Sequence, residues 1–310
     1  MSSKNGLPEV SVVLPAYNAE KYIADAIESI INQTFHDFEL IIIDDGSTDN
    51  TFEIISSFKD RRIIKLKCKE NKGNNLARNW GMNVARGKYI CVMDSDDIAF
   101  PKRIEKQYMF METNIEYGIC GGYTQVYGSS EVYTPPSNYN EIKVWLLCNI
   151  IFKHPTIFLR KSFLDKFGLK YNISFRYASD YELLVESSKL FPITNISEIV
   201  LFHRKHSSQI SEANSLEQGR MADIIRTNQL IDNFGFKPSD DEIKMHLELV
   251  NRAKIENEEQ FEKLLKWSNK LIRKNNINLN YDQDVLFEVF KALLKSIFRN
   301  YKMSLDNNFC

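Results

Sequence analysis

The sequence predicts an α/β fold, with a mixed, mostly parallel sheet that has helices on both faces and a C-terminal helical extension. Two observations predict the sheet: short apolar runs alternate with stretches of helical periodicity, and the connections between them are short. The third observation is a change near residue 212, after which Gly and Pro are rare and Lys and Glu are dense. We therefore expect one domain over residues 1–211 and a helical appendage over residues 212–310.

Four compact apolar runs predict the first four strands of the sheet. They span residues 10–14, 38–43, 63–66 and 89–93. Helical patterns separate them; the first has Ile23, Ile27 and Ile30 at helical spacing, and Asn18 is its expected N-cap. This alternation predicts right-handed βαβ units, whose strands run parallel. Because ligands bind beyond the carboxyl ends of parallel strands, we expect the polar loops after these strands to share one cleft.

The later part of the chain predicts further elements of both types. We expect a helix at 101–111, strands at 119–127, 156–159 and 195–203, helices at 141–148 and 180–189, and helical blocks at 216–234, 240–274 and 282–303. The segment 128–140 is expected to be a loop, either a plain surface connection or a mobile cover over the cleft.

Composition and charge limit the class of protein. Apolar residues make up 43% and charged residues 26% of the 310 positions, which is ordinary for a globular protein. Since 40 basic residues stand against 41 acidic ones, the charge gives no reason to expect nucleic acid as a partner. The first six residues predict no secretory leader, and no apolar run reaches the roughly 18 residues of a membrane span. The five cysteines are scattered without a CxxC pair, so we expect a cytoplasmic protein with no disulfide framework and no zinc site.

Three carboxylates follow the fourth predicted strand within four positions: Asp94, Asp96 and Asp97. Such a cluster repels itself unless a cation neutralises it. Hard divalent ions such as Mg2+ or Mn2+ take oxygen ligands and keep positions open for water or phosphate. The cluster therefore predicts a metal that faces a phosphorylated ligand, and an acidic surface turn that caps the next helix explains these residues equally well.

Two common phosphate-binding signatures are missing from the sequence. No GxGxxG follows any predicted strand, which argues against a dinucleotide-dependent oxidoreductase. Residues 81–88 superficially resemble a P-loop, but Gly81 and Gly87 are separated by five residues, and Tyr89 stands where Ser or Thr would bind the metal. Neither of these nucleotide-binding classes is therefore expected.

Taken together, the polar loops resemble those of a known family. In chain order, the motifs are VSVVLPAYN, DDGSTD, NKG with ARN, and DSDD. This series is similar to the nucleotide-sugar-binding half of the family 2 glycosyltransferases, and the resemblance covers roughly residues 8–206. It implies the GT-A fold, whose Rossmann-like part binds a nucleotide-sugar. Residues from about 8 to 100 would form the nucleotide-sugar half, and residues from about 101 to 211 the acceptor half.

The resemblance implies roles for residues in the first three loops. Tyr17 would stack near the nucleotide base, Asp45 would bond its polar edge, and Pro15 would shape the same pocket. Lys72 or Arg78 would approach the nucleotide or its phosphates. This division suits the ligand, because a planar base needs an aromatic face and a directional acceptor, whereas a diphosphate needs cations.

The resemblance also implies a donor and metal site at the acidic cluster. Asp94 would lie near the ribose, and Asp96 would bind Mn2+ or Mg2+, with Asp97 as a second carboxylate on the metal. The sequence HRKH at 203–206 is similar to a late segment of the family. There Arg204 and His206 would contact the diphosphate, and His206 would join the metal ligands.

Asp180 follows Ser179 at the position where the family carries its catalytic base, often as Glu-Asp. The resemblance implies that Asp180 removes the proton from the acceptor hydroxyl. One base and one metal on opposite sides of the sugar imply inversion of configuration. Asp180 also stands at a predicted helix start, where a carboxylate is favourable for structural reasons alone. One residue can serve both purposes.

We therefore expect a metal-dependent, inverting glycosyltransferase. Its donor would be a nucleotide-sugar, specifically a UDP-sugar, and its acceptor a glycan or lipid-linked hydroxyl in bacterial surface-polysaccharide synthesis. One alternative is a sugar-1-phosphate nucleotidyltransferase, which would carry a Gly-rich, Arg-containing loop where this chain has Pro15-Ala16-Tyr17-Asn18. The other is a catalytically silent nucleotide-sugar-binding protein of the same fold.

The last helical block has basic residues at helical spacing beside apolar ones. The basic residues are Lys291, Lys295, Arg299 and Lys302. A basic amphipathic helix over 291–302 can lie on an anionic membrane, which would place the protein at the inner face of the membrane. The alternative is the solvated face of an ordinary packed helix.

Overall fold

The structure is a computed structural model that describes residues 6–206 and 214–306. It divides into two compact units. The first comprises Met1–Ser137 and Phe152–Ser215, and the second comprises Asn138–Ile151 and Leu216–Cys310. The boundary predicted between residues 211 and 212 lies outside the described residues.

The first unit contains a mixed sheet that has nine strands within the described residues. The strands are β1 (Val10–Ala16), β2 (Phe38–Asp44), β3 (Ile63–Lys67), β4 (Tyr89–Val92), β5 (Ile98–Ala99), β6 (Ile119–Val126), β7 (Val132–Tyr133), β8 (Phe158–Arg160) and β9 (Ile193–His203). Their order is β3-β2-β1-β4-β8-β6-β9-β5, and β7 pairs with β6. The four strands from β3 to β4 are mutually parallel, β6 pairs parallel with β9, and the other pairings are antiparallel. The predicted mixed sheet is confirmed.

Helices cover this sheet and connect its strands. They are α1 (Ile23–Ile31), α2 (Thr51–Ser57), α3 (Asn74–Val84), α4 (Arg103–Thr113), α6 (Lys161–Phe167) and α7 (Ser179–Leu190), and a short 3-10 helix spans His154–Thr156. Every residue of β1, β2 and β4 is buried, as expected for parallel strands covered on both faces.

The start of α1 differs from the prediction. The helix begins at Ile23, and Asn18 is not its N-cap. Asn18 instead adopts a left-handed conformation, with φ of 48°, and its Oδ1 accepts a 2.9 Å hydrogen bond from the backbone N–H of Thr48. The expected cap is therefore wrong, because this side chain holds the loop after β1 to the loop after β2.

All the regular secondary structure that the structure describes in the second unit is helical. The unit contains α5 (Tyr139–Cys148), α8 (Ser215–Phe234), α9 (Asp240–Val250), α10 (Glu258–Asn278) and α11 (Gln283–Asp306). The predicted block at 240–274 is two helices, since the chain leaves the helical conformation at Arg252, where φ is 52°. Val144 and Leu147 of α5 share a buried core with Trp267, Leu271 and other residues of the C-terminal helices. This unit therefore includes residues 138–151, which sequence analysis assigned to the N-terminal domain.

The apolar side of α11 is packed inside the second unit. Leu293, Leu294 and Ile297 are all at most 8% exposed, whereas Lys295 and Arg299 are exposed. This arrangement favours the ordinary packed helix over an amphipathic helix that inserts these residues into a membrane. In the described part of the chain, no helix has the combined length and apolarity that crossing a bilayer requires.

Candidate functional site

Asp45 joins three of the polar loops that follow the parallel strands. It is fully buried just after β2, and its own N–H donates to the carbonyl of Ala16 at 2.8 Å. Its carboxylate accepts hydrogen bonds from the backbone N–H groups of Lys72 at 3.0 Å and Gly73 at 2.8 Å. Gly73 is the residue before α3 and has φ of 95°, a conformation that suits glycine. Asp45 therefore fixes the start of α3, and its contact with a nucleotide base stays a prediction.

The other residues predicted to bind the nucleotide lie at the same sheet edge. Pro15 is buried within the last residues of β1, and Tyr17 follows it with 42% of its surface exposed. Lys72 is exposed in the loop before α3. The ring of Tyr17 is thus accessible to solvent, and its stacking on a nucleotide base stays a prediction.

Asp94 forms a partly buried ion pair just after β4. Its Oδ1 lies 2.8 Å from Nη2 of Arg78 and 3.9 Å from Nδ1 of His154. Burial acts to raise the pKa of Asp94, but the charge of Arg78 and the hydrogen bond and charge of His154 outweigh it and hold the pKa well below its usual range. Asp94 therefore remains ionised, and it orients Arg78.

Asp96 pairs with His206 across the acidic loop. The Oδ2 of Asp96 lies 2.9 Å from Nε2 of His206, and the imidazole stacks on the ring of Tyr22 at a centroid distance of 4.7 Å. Burial raises the pKa of Asp96 to about 6, and the negative charges of Asp94 and Asp97 contribute to the shift. A carboxylate in this position gains more from a nearby cation than an exposed one does.

Asp97 is buried and hydrogen-bonded to the segment after β9. Its Oδ1 accepts a 3.0 Å bond from the backbone N–H of Arg204 and lies 3.2 Å from Nδ1 of His203. Burial raises the pKa of this carboxyl as well. Asp97 thus holds residues 203–206 against the acidic loop, and its predicted bond to a metal remains a prediction.

The described residues contain no group of three or more His, Cys, Asp or Glu that could hold a metal ion. Asp96 and His206 supply one carboxylate and one imidazole side by side. A divalent ion here would therefore take its other ligands from water and from a bound diphosphate, as Mg2+ commonly does.

Arg204 is fixed among aromatic rings and one acid. Its Nη2 lies 2.5 Å from Oδ2 of Asp25, and its guanidinium lies 5.2 Å from the ring centre of Tyr22 and 4.8 Å from that of Tyr127. Such contacts hold an arginine in one orientation. Its contact with a diphosphate stays a prediction.

Asp180 is the second residue of α7, and it belongs electrostatically to the Asp94 cluster. Burial acts to lower the pKa of Arg78, but the negative charges of Asp94 and Asp180 and the hydrogen bond with Asp94 outweigh it, so the pKa is raised. Burial raises the pKa of Tyr171, and Asp180 and Asp94 add to that shift. Tyr171 also bonds Nε2 of His154 through its hydroxyl at 2.9 Å. Asp94 and Asp180 therefore act on the same two side chains, although they are far apart in the sequence.

Two asparagines that sequence analysis did not select attach the approach to α7 onto α3. Asn79 accepts a 2.9 Å bond from the N–H of Tyr171 and donates a 2.8 Å bond to the carbonyl of the same residue. Asn75 accepts a 2.6 Å bond from the hydroxyl of Ser179. The available signal was two amides four positions apart on a helix, which is the spacing of one helical face.

A buried arginine also forms a hydrogen bond to the strand that ends at the acidic loop. Arg103 on α4 is 0% exposed, and its Nη2 donates a 2.7 Å bond to the carbonyl of Val92, the last residue of β4. Its Nε donates a 3.1 Å bond to Gln107, one turn later. Charged and amide side chains at core-facing positions of a helix were the signal that could have revealed it.

Comparison with known proteins identifies the family. The sequence profile described as Glycosyl transferase family 2 matches residues 11–180. An uncharacterised glycosyltransferase of Haemophilus influenzae is 35% identical over 237 residues, which cover 72% of this chain and 73% of that protein. The E. coli protein named UDP-Glc:alpha-D-GlcNAc-diphosphoundecaprenol beta-1,3-glucosyltransferase WfaP is 34% identical over 74% of this chain and 87% of its own.

Solved structures share the fold at lower identity. S. aureus TarS in complex with UDP-GlcNAc has a TM-score of 0.61 and 17% identity, covering 94% of this chain and 89% of that one. The mannosyltransferase PcManGT from Pyrobaculum calidifontis, in complex with GDP-Man and Mn2+, has a TM-score of 0.56 and 12% identity, covering 95% of this chain and 87% of that one. The predicted GT-A fold with a C-terminal helical region is confirmed. The profile and the relatives together show that this chain is an enzyme and belongs to glycosyltransferase family 2.

Proposed function

We propose that this enzyme transfers a sugar from a UDP-sugar to a hydroxyl of a glycan or lipid-linked acceptor, with inversion of configuration, during surface-polysaccharide synthesis. The activity that the name of WfaP states, a UDP-glucose-dependent transfer onto a diphosphoundecaprenol-linked sugar, supports this substrate class. The UDP and UDP-GlcNAc complexes of TarS support the nucleotide. The observation that carries the proposal is the 2.8 Å ion pair between Arg78 and Asp94, which lies within the residues that the family profile matches.

The sheet edge offers a place for each part of the donor. The exposed ring of Tyr17 gives the uracil a face to stack on, beside Pro15 and the buried Asp45. Lys72 is exposed in the loop before α3, where its ammonium can reach phosphate oxygens. The ionised Asp94 is a strong acceptor for a ribose hydroxyl, and its ion pair with Arg78 keeps both side chains in place.

Asp96 and His206 would hold a divalent ion, either Mn2+ or Mg2+, with Asp97 as a further candidate ligand. The donor set fits, because a crowded carboxylate with a raised pKa and an adjacent imidazole nitrogen are both ligand types that Mn2+ accepts. When bound, the ion would neutralise charge on the departing nucleoside diphosphate. Arg204 would add a fixed positive charge next to it.

Asp180 would act as the base. It lies in the first turn of α7, and its charge, like that of Asp94, acts on the pKa of Arg78 and of Tyr171, which supports a place for it near the proposed donor site. There it can accept the proton of the acceptor hydroxyl as the oxygen attacks the anomeric carbon. Attack on the face opposite the leaving diphosphate inverts the configuration of the sugar.

Calorimetry with UDP, in the presence and absence of Mn2+, followed by UDP release from a panel of sugar donors, tests this function. We expect Mn2+ to strengthen UDP binding and one UDP-sugar to release UDP even with water as acceptor. Asp96→Ala should abolish that release, whereas Asp165→Ala, a change at an exposed carboxylate on α6, should not. Release of pyrophosphate from a nucleoside triphosphate and a sugar-1-phosphate would instead identify a nucleotidyltransferase, and UDP binding without any turnover would identify a silent binding protein.

A further inference from the structure

One face of α10 carries a row of cationic side chains. The cationic residues recur at helical spacing and are Lys266, Lys270, Arg273 and Lys274. Asn269 and Ile277 lie on the same face. These six residues line a groove of about 410 Å³, and none of them belongs to the candidate functional site. We refer to them, with Leu279 at the end of the helix, as the α10 basic face. The opposite side of the helix, with Leu264, Trp267 and Leu271, is buried in the core of the second unit.

The positive charge of this face is only partly neutralised. Residues 263–281 contain five Lys or Arg and no Asp or Glu. Lys266 lies 3.7 Å from Glu262, and Lys270 pairs with Glu242. Among the described residues, no carboxylate lies within 4.0 Å of the charged groups of Arg273 or Lys274. The C-terminal half of the helix therefore offers cations to an external anion.

Two exposed aliphatic side chains stand at the same end of α10. Ile277 is 74% exposed and Leu279 is 75% exposed, the highest values for large apolar residues in the described chain. Leu279 also ends the helix in the left-handed conformation, with φ of 52°. Gly or Asn is favoured at that position, and a leucine there is strained while its side chain gains no packing. Folding alone gives no reason for this residue.

We propose that the α10 basic face docks the enzyme onto a bilayer that contains anionic phospholipid. The cations would meet the lipid phosphates, and Ile277 with Leu279 would enter the boundary between headgroups and acyl chains. A soluble polyanion would account for the cations but would leave the two exposed aliphatic residues in water, so the bilayer fits both observations. This proposal does not depend on the identity of the donor or acceptor.

Co-sedimentation of the full chain with vesicles tests the proposal. We expect binding to vesicles of phosphatidylcholine with phosphatidylglycerol, weaker binding at high salt, and little binding to phosphatidylcholine alone. Two double variants should each lower the vesicle partition coefficient by at least about ten-fold. One combines Arg273→Glu with Lys274→Glu, and the other combines Ile277→Ser with Leu279→Ser. The matched control, Lys295→Glu with Arg299→Glu, places the same charge change on the exposed side of α11 and should bind like the wild type.

Circular dichroism and UDP affinity show whether each variant is folded, so that loss of vesicle binding is not confused with loss of structure or of the proposed function. Equal binding to neutral and anionic vesicles, or no vesicle binding by the wild type, would overturn the proposal. A larger loss of vesicle binding in the α11 control variant than in the α10 variants would also overturn it. Binding to inorganic polyphosphate that is insensitive to the Ile277 and Leu279 changes, without vesicle binding, would assign the face to a soluble polyanion instead.

Discussion

The hydroxyl of Ser179 donates a 2.6 Å hydrogen bond to the amide oxygen of Asn75, and Ser179 is the residue immediately before Asp180. The amide nitrogen of Asn75 faces the carbonyls of Phe175 and Arg176, at 3.4 and 3.2 Å. One side chain of α3 therefore holds both the approach to α7 and its first residue. The position of the proposed base therefore depends on α3, the helix that follows the loop proposed to bind the nucleotide.

Asn75→Ala and Ser179→Ala should each lower kcat by about ten- to a hundred-fold while the KM for the donor changes little. The reason is that a small displacement of the base misaligns it with the acceptor hydroxyl. Steady-state kinetics measure the split between kcat and KM. Ser188→Ala, the same substitution near the other end of α7, should keep wild-type kinetics, and Asn75→Asp should recover part of the loss because it retains an acceptor for Ser179. A rise in KM alone would contradict a positioning role.

Asp180→Asn separates catalysis from helix capping. The Oδ1 of Asp180 accepts a 2.9 Å bond from the N–H of Tyr181, and the amide oxygen of asparagine can accept it too. We therefore expect an unchanged melting temperature and UDP affinity, but transfer slower by about 100- to 10,000-fold because the base is gone. Glu182→Gln, in the same helical turn, is the matched control and should keep activity. Transfer that survives Asp180→Asn would leave Asp180 with a structural role only.

His246 makes the stability of the second unit dependent on pH. It is 0% exposed, and neither ring nitrogen has a hydrogen-bond partner among the described residues. Burial, with a contribution from the charge of Arg226, lowers its pKa from 6.5 to about 3. Between these pH values His246 binds a proton in the unfolded chain but not in the folded chain. The stability that the neutral, buried His246 contributes is therefore fully present above pH 6.5 and is lost as the pH falls toward 3.

In the His246→Leu variant, the free energy of unfolding should therefore decrease less steeply than in the wild type as the pH falls from 6.5 to 4. Urea denaturation at a series of pH values measures this. The control is His36→Gln, a change at an exposed histidine of the first unit. An equally steep decline in the His246 variant would show that other groups cause the acid sensitivity.

Leu279→Gly should stabilise the protein and weaken its binding to anionic vesicles. Glycine adopts the left-handed conformation without strain, and relief of that strain is worth about 1 kcal/mol. Leu279→Ala is the matched control, because it removes the same side chain but keeps the strained backbone. Thermal unfolding should therefore show a gain for glycine and none for alanine, while both variants lose vesicle affinity. Equal melting temperatures would mean that the backbone at residue 279 relaxes.

The sheet and the family could be predicted because short, continuous stretches of the sequence indicate each of them. The strands β1, β2 and β4 are buried on both sides, so each appears as a mostly apolar run, interrupted only by Ser11 in β1 and Glu39 in β2, that is followed by a polar loop. The two-residue strand β5 is too short to have a period, and it was not predicted. Segments of this length are recognisable only from their partners in the sheet.

The contacts within the site could not be predicted in the same way. Asp96 and His206 are 110 positions apart, and Asn75 and Ser179 are 104 apart. Periodicity reports which face of an element is buried, but it does not report which loops meet. The resemblance to the family selected both Asp96 and His206, whereas it gave no role to Asn75 or Arg103, nor to Asn79 at the end of the ARN motif.

The helix α5 lies between β7 and β8 in the chain, but its apolar residues are packed with helices that follow β9. When α5 leaves the ribosome, the partners of Val144 and Leu147 do not yet exist, so this unit can complete its core only after α8 to α11 have been synthesised. An exchange of these helices between relatives would likewise require α5 to be inherited with them. Evolution of the second unit is thereby tied to a short segment that is encoded between two strands of the first.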